Sequence, residues 1–598
     1  MAGSGNTQGG LITFAVKVDG NVIPDDLQVL AIRVEKKVNR ISSAKIVILD
    51  GEANTGTFEV SSSDTFLPGA EVSIEAGYDT KNKLIFKGII TRQSIRIDDL
   101  VGSALEVECR DAAVKMIVGR KSLTFSKKKD SDIISSIIGN YSGLSPDVTP
   151  TETVWPEQVQ YYVTDWDFVL ARAEANGLIV TTLNGKVAVV KPDADPSPVT
   201  TVKFGDGLLG FNAELNAITQ LDSVKASTWD YKNQALSSAE ASNDHPGPGN
   251  LSSKKLAGVI GLSDFALQTA APLQNADLTC WSKAQLVKSE YSKIQGEARF
   301  QGTNLVDPGK YITLQGIGNR FNGDHLISGV VHDISDGNWI TEVTIGLSPI
   351  WFTEEPDLMA PPAAGLLPGA RGLFNGTVKK IFEDPDTQYR ILLDIPLFDK
   401  NGEGIWARLS NFYSTNGAGV FFLPEVGDEV VLGFLNEDPR YPIILGSLYS
   451  SSKLKPYEGL DPSEKNPKKA IVSKSKLYME FDDENIKLTT STPNKNTFTL
   501  SDKDHQITIE DENKNSIVMS KDGIVIKSAK DISIQADGNL LLKGTQGVKV
   551  QAPTGDVEIT GINIKETADS QYSAEGSEMA KINSGMELTL KSAMIMIN

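Results

Sequence analysis

The feature that most constrains the fold is an eight-residue repeat in the C-terminal part of the sequence, at residues 515–564. Apolar residues occur there in pairs, and the two members of a pair are two positions apart. Residues with this spacing lie on the same face of a β-strand, so each repeat predicts a short strand followed by a turn. The pairs are Ile524 with Ile526, Ile532 with Ile534, Leu540 with Leu542, Val548 with Val550, and Val557 with Ile559, after which the register slips.

One strand of this kind is not stable by itself, because two aliphatic side chains do not offset an ordering cost of about 1–2 kcal/mol per residue. A β-helix made by a single chain usually has longer coils and an internal core in each repeat. We therefore predict that three copies wind around one axis as an intertwined triple-stranded β-helix, with the residues of these five pairs as the trimer core. Tyr572 is the only aromatic residue after Asn515, which is consistent with a narrow bore.

This needle is predicted to span residues 477–598, after a polar connector at 451–476. Residues 568–579 are polar and are predicted to form a looped-out insertion, after which Leu588 and Leu590 resume the pattern. The first apolar pairs are less regular than the later ones: Leu477 with Met479, and Ile486 with Leu488.

Residues 1–355 predict a β-rich hub domain with two barrel-like subdomains. Alternating apolar residues predict its strands, and the turn at Asp19 and Gly20 predicts a hairpin. The first strands are expected at 11–18, 43–49, 71–76, 84–93 and 104–109.

The hub is also predicted to contain helices. The most regular one should begin after Thr164 or Asp165, either of which can cap it, and end at Gly177. A hairpin should follow at 178–190, and another helix at 277–294. A shorter helix, capped by Ser131 or Asp132, should end at Gly139. Residues 237–255 are rich in Ser, Ala, Gly and Pro and are expected to form a surface loop.

Beyond the hub, residues 356–369 are rich in Pro, Ala and Gly and predict a linker. Residues 370–450 alternate densely between apolar and polar residues, with turns between the segments, as a small closed barrel requires. The whole chain is therefore predicted to be mainly β.

Composition excludes several classes of partner. The formal net charge is −19, which should repel nucleic acid and anionic membrane surfaces. The sequence contains no run of about 18 apolar residues, so no membrane span is predicted. The first ten residues are polar and Gly-rich, unlike a signal peptide, so we expect synthesis in the cytoplasm. Cys109 and Cys280 cannot make a disulfide framework, although one bridge between them stays open.

Several segments resemble VgrG proteins and the spike proteins of contractile phage tails. In the hub, the segment DWDFVLARAEANGL at 165–178 and the hairpin after it are similar to sequences of that family and of phage late-control D proteins. The most specific match is to the OB-fold of these spikes, and the octads resemble their needle. The OB-like segments are GIWARL at 404–409, GAGVFFLPEVGDEVVLGF at 417–434 and DPRYPIILGSLY at 438–449.

The resemblance implies a homotrimeric spike that caps the inner tube of a contractile injection machine and pierces a target membrane when the sheath contracts. It implies contacts of the N-terminal half with the inner tube protein and baseplate proteins, and it leaves effector cargo open. It also implies a PAAR-type tip protein, which would bring its own metal, and a phage tail-like particle outside the producing cell. The residues expected to dock that tip protein are Met594, Ile595, Met596, Ile597 and Asn598.

Catalytic motifs are not found, so we expect no enzyme activity, cofactor or metal site in this chain. Neither a Gly-x-Ser-x-Gly elbow nor a His-Glu-x-x-His or Cys-x-x-Cys motif occurs. His325 and His332 are an odd number of positions apart, which places them on opposite faces of one strand and argues against a shared metal.

The alternative is a phage tail spike or baseplate hub with associated cell-wall-degrading activity. The connector that would hold a hydrolase is shorter than the about 50 residues of a small domain. A receptor-binding tail fibre would show a globular head, which is not seen in the sequence. Phage tail, type VI secretion system and extracellular injection system stay open as the setting.

Overall fold

The computed structural model describes residues 10–98, 102–230, 233–271, 273–355, 358–398, 402–450, 453–460 and 462–597. Strands account for 41% of the chain and helices for 11%, which confirms the prediction of a mainly β protein. The chain divides into two compact units, residues 1–448 and 449–598.

The first unit contains four α-helices within its described residues: α1 (Asp130–Gly139), α2 (Asp165–Ala175), α3 (Ser253–Ile260) and α4 (Asn275–Tyr291). Its hub strands are β1 (Ile12–Val18), β2 (Asn21–Val22), β3 (Val29–Lys37), β4 (Ser43–Leu49), β5 (Glu71–Tyr78), β6 (Lys83–Asp98), β7 (Gly102–Arg110), β8 (Arg120–Lys129), β9 (Ser145–Val148), β10 (Val154–Thr164), β11 (Ile179–Leu183), β12 (Lys186–Val190), β13 (Pro198–Lys203), β14 (Leu208–Leu215), β15 (Ser223–Asp230), β16 (Ala235–Ser242), β17 (Phe265–Thr269), β18 (Ile294–Gln301), β19 (Tyr311–Gln315), β20 (Gly323–Ser335) and β21 (Asn338–Ile345).

Thirteen of these strands form one continuous sheet. Its main path runs β14-β18-β21-β20-β3-β4-β7-β6-β5-β1-β2, with β19 beside β20 and β13 beside β19. The antiparallel pairing of β3 with β20 joins its two halves, for example Val34 opposite His332. Each half covers a separate apolar core, one around Ile46 and Leu105 and the other around Ile312 and Val343. The two predicted barrel-like subdomains therefore share one sheet.

The first hairpin forms as predicted. Asp19 and Gly20 have φ values of 48° and 84°, the left-handed conformations that a tight hairpin turn requires at both central positions. In β5 burial alternates from Glu71 to Ala76, and Val72, Ile74 and Ala76 are fully buried.

The predicted helix after Thr164 is α2. Of the two candidate caps, Thr164 is the one that acts, because its Oγ1 accepts a hydrogen bond from the Asp167 N–H at 3.0 Å. Gly177 ends the helix with a φ of 66°. The hairpin β11–β12 follows as predicted.

The prediction that Ser131 or Asp132 caps α1 is wrong. The helix begins at Asp130, and its cap residue, Lys129, makes no side-chain hydrogen bond there. The Asp130 carboxylate instead accepts two hydrogen bonds from Arg172, at 2.9 and 2.8 Å, and others from Trp155 and Asn176. This buried network connects α1 to α2 and to β10. Such contacts between residues distant in sequence cannot be predicted from a local capping pattern.

The surface loop predicted at 237–255 is also wrong, because the segment contains most of β16 and the start of α3. The strand β16 pairs with β15 and packs against α4, where Ala241 is buried. Its small residues hide the alternation that larger side chains would have shown. Ser252 caps α3 by accepting a hydrogen bond from the Lys255 N–H at 3.2 Å.

The short turn between β16 and α3 encloses a buried lysine. The Lys293 ammonium, which is 1% exposed, donates to the carbonyl oxygens of Pro246, Pro248 and Leu251 at 2.9, 2.7 and 2.9 Å. Three carbonyl acceptors use all three N–H bonds of the ammonium. The side chain therefore fixes the Pro- and Gly-rich turn without a carboxylate partner.

Glu290 lies beside this turn, and its substitution by glutamine is expected to stabilise the hub increasingly as the pH rises above 4.5. Burial, assisted by the charge of Asp244, raises the pKa of Glu290 from 4.5 to about 7. A raised carboxyl pKa favours folding fully below pH 4.5, and the benefit is lost as the pH rises through 7. We expect Glu290→Gln to raise the free energy of unfolding by about 1–3 kcal/mol at pH 8. Thermal unfolding at pH 5 is the internal control, where the two proteins should differ little.

The remainder of the first unit is a small closed barrel, β22-β23-β24-β28-β27, with the hairpin β25–β26 outside it. Its apolar core includes Val378, Leu393, Val430 and Ile444. The described part of the predicted linker contains a 3₁₀ turn, Pro362–Gly365, in which Ala363 is buried. The strands of this region are β22 (Phe374–Lys380), β23 (Ile391–Asp394), β24 (Ile405–Leu409), β25 (Ser414–Thr415), β26 (Ala418–Gly419), β27 (Glu429–Phe434) and β28 (Pro442–Ser447).

The second unit begins with a seven-stranded antiparallel meander in which every strand pairs with its neighbours in sequence. Among the described residues after it, 528–597, the chain forms no helix or strand. The strands of the meander are β29 (Lys468–Val472), β30 (Tyr478–Asp482), β31 (Lys487–Ser491), β32 (Thr497–Ser501), β33 (Gln506–Glu510), β34 (Ser516–Ser520) and β35 (Gly523–Lys527).

Candidate functional site

The candidate site is the apolar face of the second unit, and it begins on the meander. Each strand has five residues, and residues at its second and fourth positions lie on one face of the sheet. The antiparallel register aligns these residues from strand to strand: Leu488 lies opposite Leu500, Phe498 opposite Ile509, and Ile517 opposite Ile526. The result is an apolar face that extends from β30 to β35, with Thr490 on β31 as its one polar residue. Its residues on β30 to β35 are Met479, Phe481, Leu488, Phe498, Leu500, Ile507, Ile509, Ile517, Met519, Ile524 and Ile526.

Local polar contacts fix the turns of the meander. The Asp511 carboxylate accepts a hydrogen bond from Asn515 Nδ2 at 2.8 Å and others from the backbone N–H groups of Asn515 and Asn513 at 2.8 and 2.9 Å, and these bonds lower its pKa. Lys514 in the same turn has a φ of 70°. Such turns set the register, and the register decides which face of the sheet is apolar.

The first two apolar pairs of the needle were predicted two residues too early along the chain. The pair on β30 is Met479 and Phe481, because Leu477 precedes the strand. On β31, Leu488 lies opposite Phe481, whereas Ile486 is in the preceding turn with a φ of 49°. Sequence analysis missed Phe481 as a residue of this face, although it lies two positions after Met479.

The octads after the meander have a regular backbone. Bends occur at 529–530, 537–538, 545–546, 553–555, 562, 569–570, 577–578, 585–586 and 593, so they follow each other at intervals of about eight residues. The bends continue through 568–579, which contradicts the predicted looped-out insertion. In this frame Tyr572 occupies the position of the first apolar residue of a pair, three octads before Met596.

The predicted trimer-core residues are all exposed in the single chain. The exposed fraction of their side chains ranges from 53% at Ile532 to 70% at Val550. The others are Ile524, Ile526, Ile534, Leu540, Leu542, Val548, Val557 and Ile559. Within the described residues after Lys527, no β-ladder joins one octad to another in the single chain.

The second unit has no apolar core within its described residues. Ser491 and Ser501 are its only buried residues there, and every described residue from 529 to 597 is exposed. Exposed apolar surface on this scale marks an interaction site, because water-exposed aliphatic side chains give no folding free energy.

The residues predicted to dock a tip protein are also exposed. The exposed fractions of Met594, Ile595, Met596 and Ile597 are 73, 51, 82 and 89%. Asn598 lies outside the described residues. Their role as a docking surface stays a prediction.

Three ionisable side chains of the first unit, those of Cys109, His325 and His332, are buried. Burial lowers the pKa of His332 to about 3, and its Nδ1 lies 3.1 Å from Thr341 Oγ1. The Nε2 atom of His325 lies 2.6 Å from the Phe321 carbonyl oxygen. Burial raises the pKa of the Cys109 thiol to about 12. Among the described residues, no cluster of three potential metal ligands is found, and no helix is long and apolar enough to cross a membrane.

Two family models match the sequence. Residues 8–336 match the family described as the Alg8 N-terminal domain, and residues 374–449 match the type VI secretion system/phage-baseplate injector OB domain. The second match covers the closed barrel described above.

The curated relatives agree with the second of these matches. VgrG1c, a type VI secretion system spike protein of Pseudomonas aeruginosa, is 21% identical over 491 residues, which are 75% of this chain and 63% of that relative. VgrG1a of the same species is 38% identical over 53 residues, which are 9% of this chain and 8% of that protein. The chain therefore spans less than two thirds of the length of these relatives.

Among solved structures, the tail protein from Neisseria meningitidis MC58 is 15% identical and aligns over 58% of this chain and 99% of its own, with a TM-score of 0.43. An E. coli component of the type VI secretion system is 13% identical and aligns over 72% of this chain and 99% of its own, with a TM-score of 0.37.

The injector OB domain match and the curated relatives show that the chain is similar to VgrG proteins, as its motifs predicted. More than half of the chain matches one family model, so the chain belongs to the Alg8 N-terminal domain family.

Proposed function

We propose that the chain is the central spike of a contractile injection machine and that it functions as a homotrimer. The observation that carries this proposal is the second unit, which has an apolar face and octads but buries no apolar side chain within its described residues. Three copies around one axis would cover this face with a surface of the same kind. Each aliphatic side chain that passes from half-exposed to buried would contribute about 1 kcal/mol.

The mechanical role follows from such an assembly. A closed prism of strands has no free sheet edge along its sides, so it resists both bending and aggregation. Driven forward by a contracting sheath, it would pierce a target membrane without chemistry at its tip. We propose that the hub and OB barrel cap the inner tube and contact baseplate proteins, because the family matches lie in that half.

We further propose that the exposed residues 594–597 seat a PAAR-type tip protein, since four consecutive apolar residues would leave a blunt, water-exposed end on the trimer. Effector cargo would travel on this tip or on the spike itself. The particle would act outside the producing cell, and the chain would act without catalysis or a cofactor of its own.

The solution mass of the full-length chain tests the proposal, beside that of a truncated variant ending at Ser450. We expect the full chain to have three times its single-chain mass of 64.5 kDa. The variant keeps all five apolar cores of the first unit, so it should stay folded but lose most of the trimer. A monomeric full-length chain would contradict the proposal, whereas an equally trimeric truncated variant would place the trimer contacts in the hub and barrel.

A further inference from the structure

We propose that the hub binds a lysine side chain of a partner protein in a cleft at the C-terminal end of α4. The cleft has a volume of about 370 Å³ and lies between this helix end, the turn at 245–249 and the loop before β13. Its ionisable lining includes Asp193, His245, Glu290, Tyr291 and Tyr311. The inference concerns the first unit alone and does not depend on the proposed trimer.

The negative charge of this cleft has no counterion. Burial raises the pKa of Glu290, and the charges of Asp244 and Asp193 raise it further. The backbone N–H group of His245 donates a hydrogen bond to this carboxyl group, but no cation among the described residues acts on it. The ammonium group of Lys293 is not available, because three carbonyl oxygens of the turn use all of its N–H bonds. A positively charged ligand would therefore be stabilised in the cleft.

Two tyrosines on the wall of the cleft give a second, independent sign of a ligand. Tyr311 is 7% exposed, and its hydroxyl oxygen lies 3.1 Å from that of Tyr291. The two hydroxyl groups carry two protons, but only one proton can lie in the hydrogen bond between them. The other O–H group has no acceptor among the described residues. Because a buried donor without an acceptor is costly, this group favours a ligand that also carries a hydrogen-bond acceptor.

A lysine residue of a polypeptide chain has both properties. Its ammonium group can donate to the carboxylates of Asp193 and Glu290, and its backbone carbonyl oxygen can accept the remaining tyrosine proton. Its aliphatic stem can lie against the rings of His245 and Tyr291, whose centroids are 5.0 Å apart. A metal ion fits less well, since it needs several ligands around one point and no such group is found among the described residues.

Ionisation of Glu290 should control the affinity. Its pKa is about 7, so its carboxyl group is mostly neutral at about pH 5.5 and mostly ionised at about pH 8. An ammonium group interacts more favourably with the ionised form, so the affinity should rise with pH over this interval. The His245 ring does not oppose this, because burial and the charge of Lys293 lower its pKa below 6.5. The other ionisable groups around Glu290 are Asp193, Asp244, Tyr291 and Tyr311.

Isothermal titration calorimetry of the full-length chain with three small probes tests the inference. The probe Nα-acetyl-lysine amide carries an ammonium group and peptide carbonyl groups, pentylamine carries only the ammonium group, and Nα-acetyl-norleucine amide carries only the carbonyl groups. At pH 8 we expect the lysine probe to bind at least about tenfold more tightly than either of the others. At pH 5.5 its affinity should be at least about fivefold lower than at pH 8.

Three variants assign the binding to this cleft. Asp193→Asn should weaken binding of the lysine probe at pH 8 by about tenfold or more, and Glu290→Gln should remove the dependence on pH. Asp195→Asn is the matched control, since Asp195 forms an exposed ion pair with Lys310 at 2.8 Å and is not among the residues that line the cleft. This control should change the affinity by less than about twofold.

Three results would overturn the inference. Absence of saturable binding of the lysine probe would mean that the cleft holds no lysine. Equal binding by the unsubstituted chain and by Asp193→Asn would place the probe elsewhere on the protein. Equal affinity for pentylamine would mean that the ligand is a free amine and not a lysine within a polypeptide chain.

Discussion

Replacing Ile534 by aspartate is expected to abolish trimer assembly while leaving the hub and barrel folded. The Ile534 side chain is 65% exposed in the single chain, so an aspartate costs the monomer little. In the proposed trimer, three carboxylates would face one another around the axis in a site that excludes water. An unpaired buried charge costs several kcal/mol, and like charges at close range add to this. The association constant of the trimer should therefore fall by more than about a thousandfold.

Ser533→Asp is the matched control for this substitution. It adds the same charge one position away, which places it on the opposite face of the same strand. We expect this variant to remain trimeric, with a mass equal to that of the unsubstituted protein. Loss of the trimer in both variants would point to charge alone, and a stable trimer of Ile534→Asp would show that the register of the octads is wrong.

Replacing Asp130 by alanine should destabilise the hub by about 3–5 kcal/mol, because it leaves a buried charge without its partner. The Arg172 guanidinium donates two hydrogen bonds to Asp130 and lies over the Trp155 ring at 5.1 Å. The side chain of Asp130 is 2% exposed and that of Arg172 is 20% exposed. Asp132→Ala is the control, since Asp132 is exposed on the same helix, and it should change stability by less than about 0.5 kcal/mol.

The same carboxylate gives a pH test. Burial opposes ionisation of Asp130, but the hydrogen bonds and charge of Arg172 outweigh it, so its pKa is lowered below 3.8. A lowered carboxyl pKa contributes stability above pH 3.8, and this contribution is lost as the pH falls through the folded-state pKa. The stability difference between Asp130→Ala and the unsubstituted protein, measured by chemical denaturation, should therefore shrink below pH 3.8. A difference that is constant down to pH 2 would contradict the ion pair.

The sequence by itself determined the elements whose signals are local. The hairpin at Asp19 and Gly20 depends only on two residues that tolerate positive φ, and the helix α2 depends on one cap and one apolar stripe. The eight-residue repeat of the octads is also local, and the bends at 529–593 follow it, but the described residues 528–597 form no strand, so the triple-stranded β-helix stays a prediction. The OB barrel was predicted from the alternation of apolar and polar residues and from segments that resemble the OB-fold of contractile spikes, and the family match covers it.

Only the tertiary structure decided the conformation of segments in which contacts with distant residues outweigh the local sequence signal. At the start of α1 the predicted cap does not form, and Asp130 is held by Arg172 instead. The small residues of β16 form a strand because β15 pairs with them and α4 packs against them. In the meander, antiparallel pairing placed the first strands two residues later than predicted, so β30 presents Met479 and Phe481 where the sequence predicted Leu477 and Met479. The predicted and observed pairs lie on the same face because they differ by an even number of residues, and only pairing with the neighbouring strand decided where each strand begins.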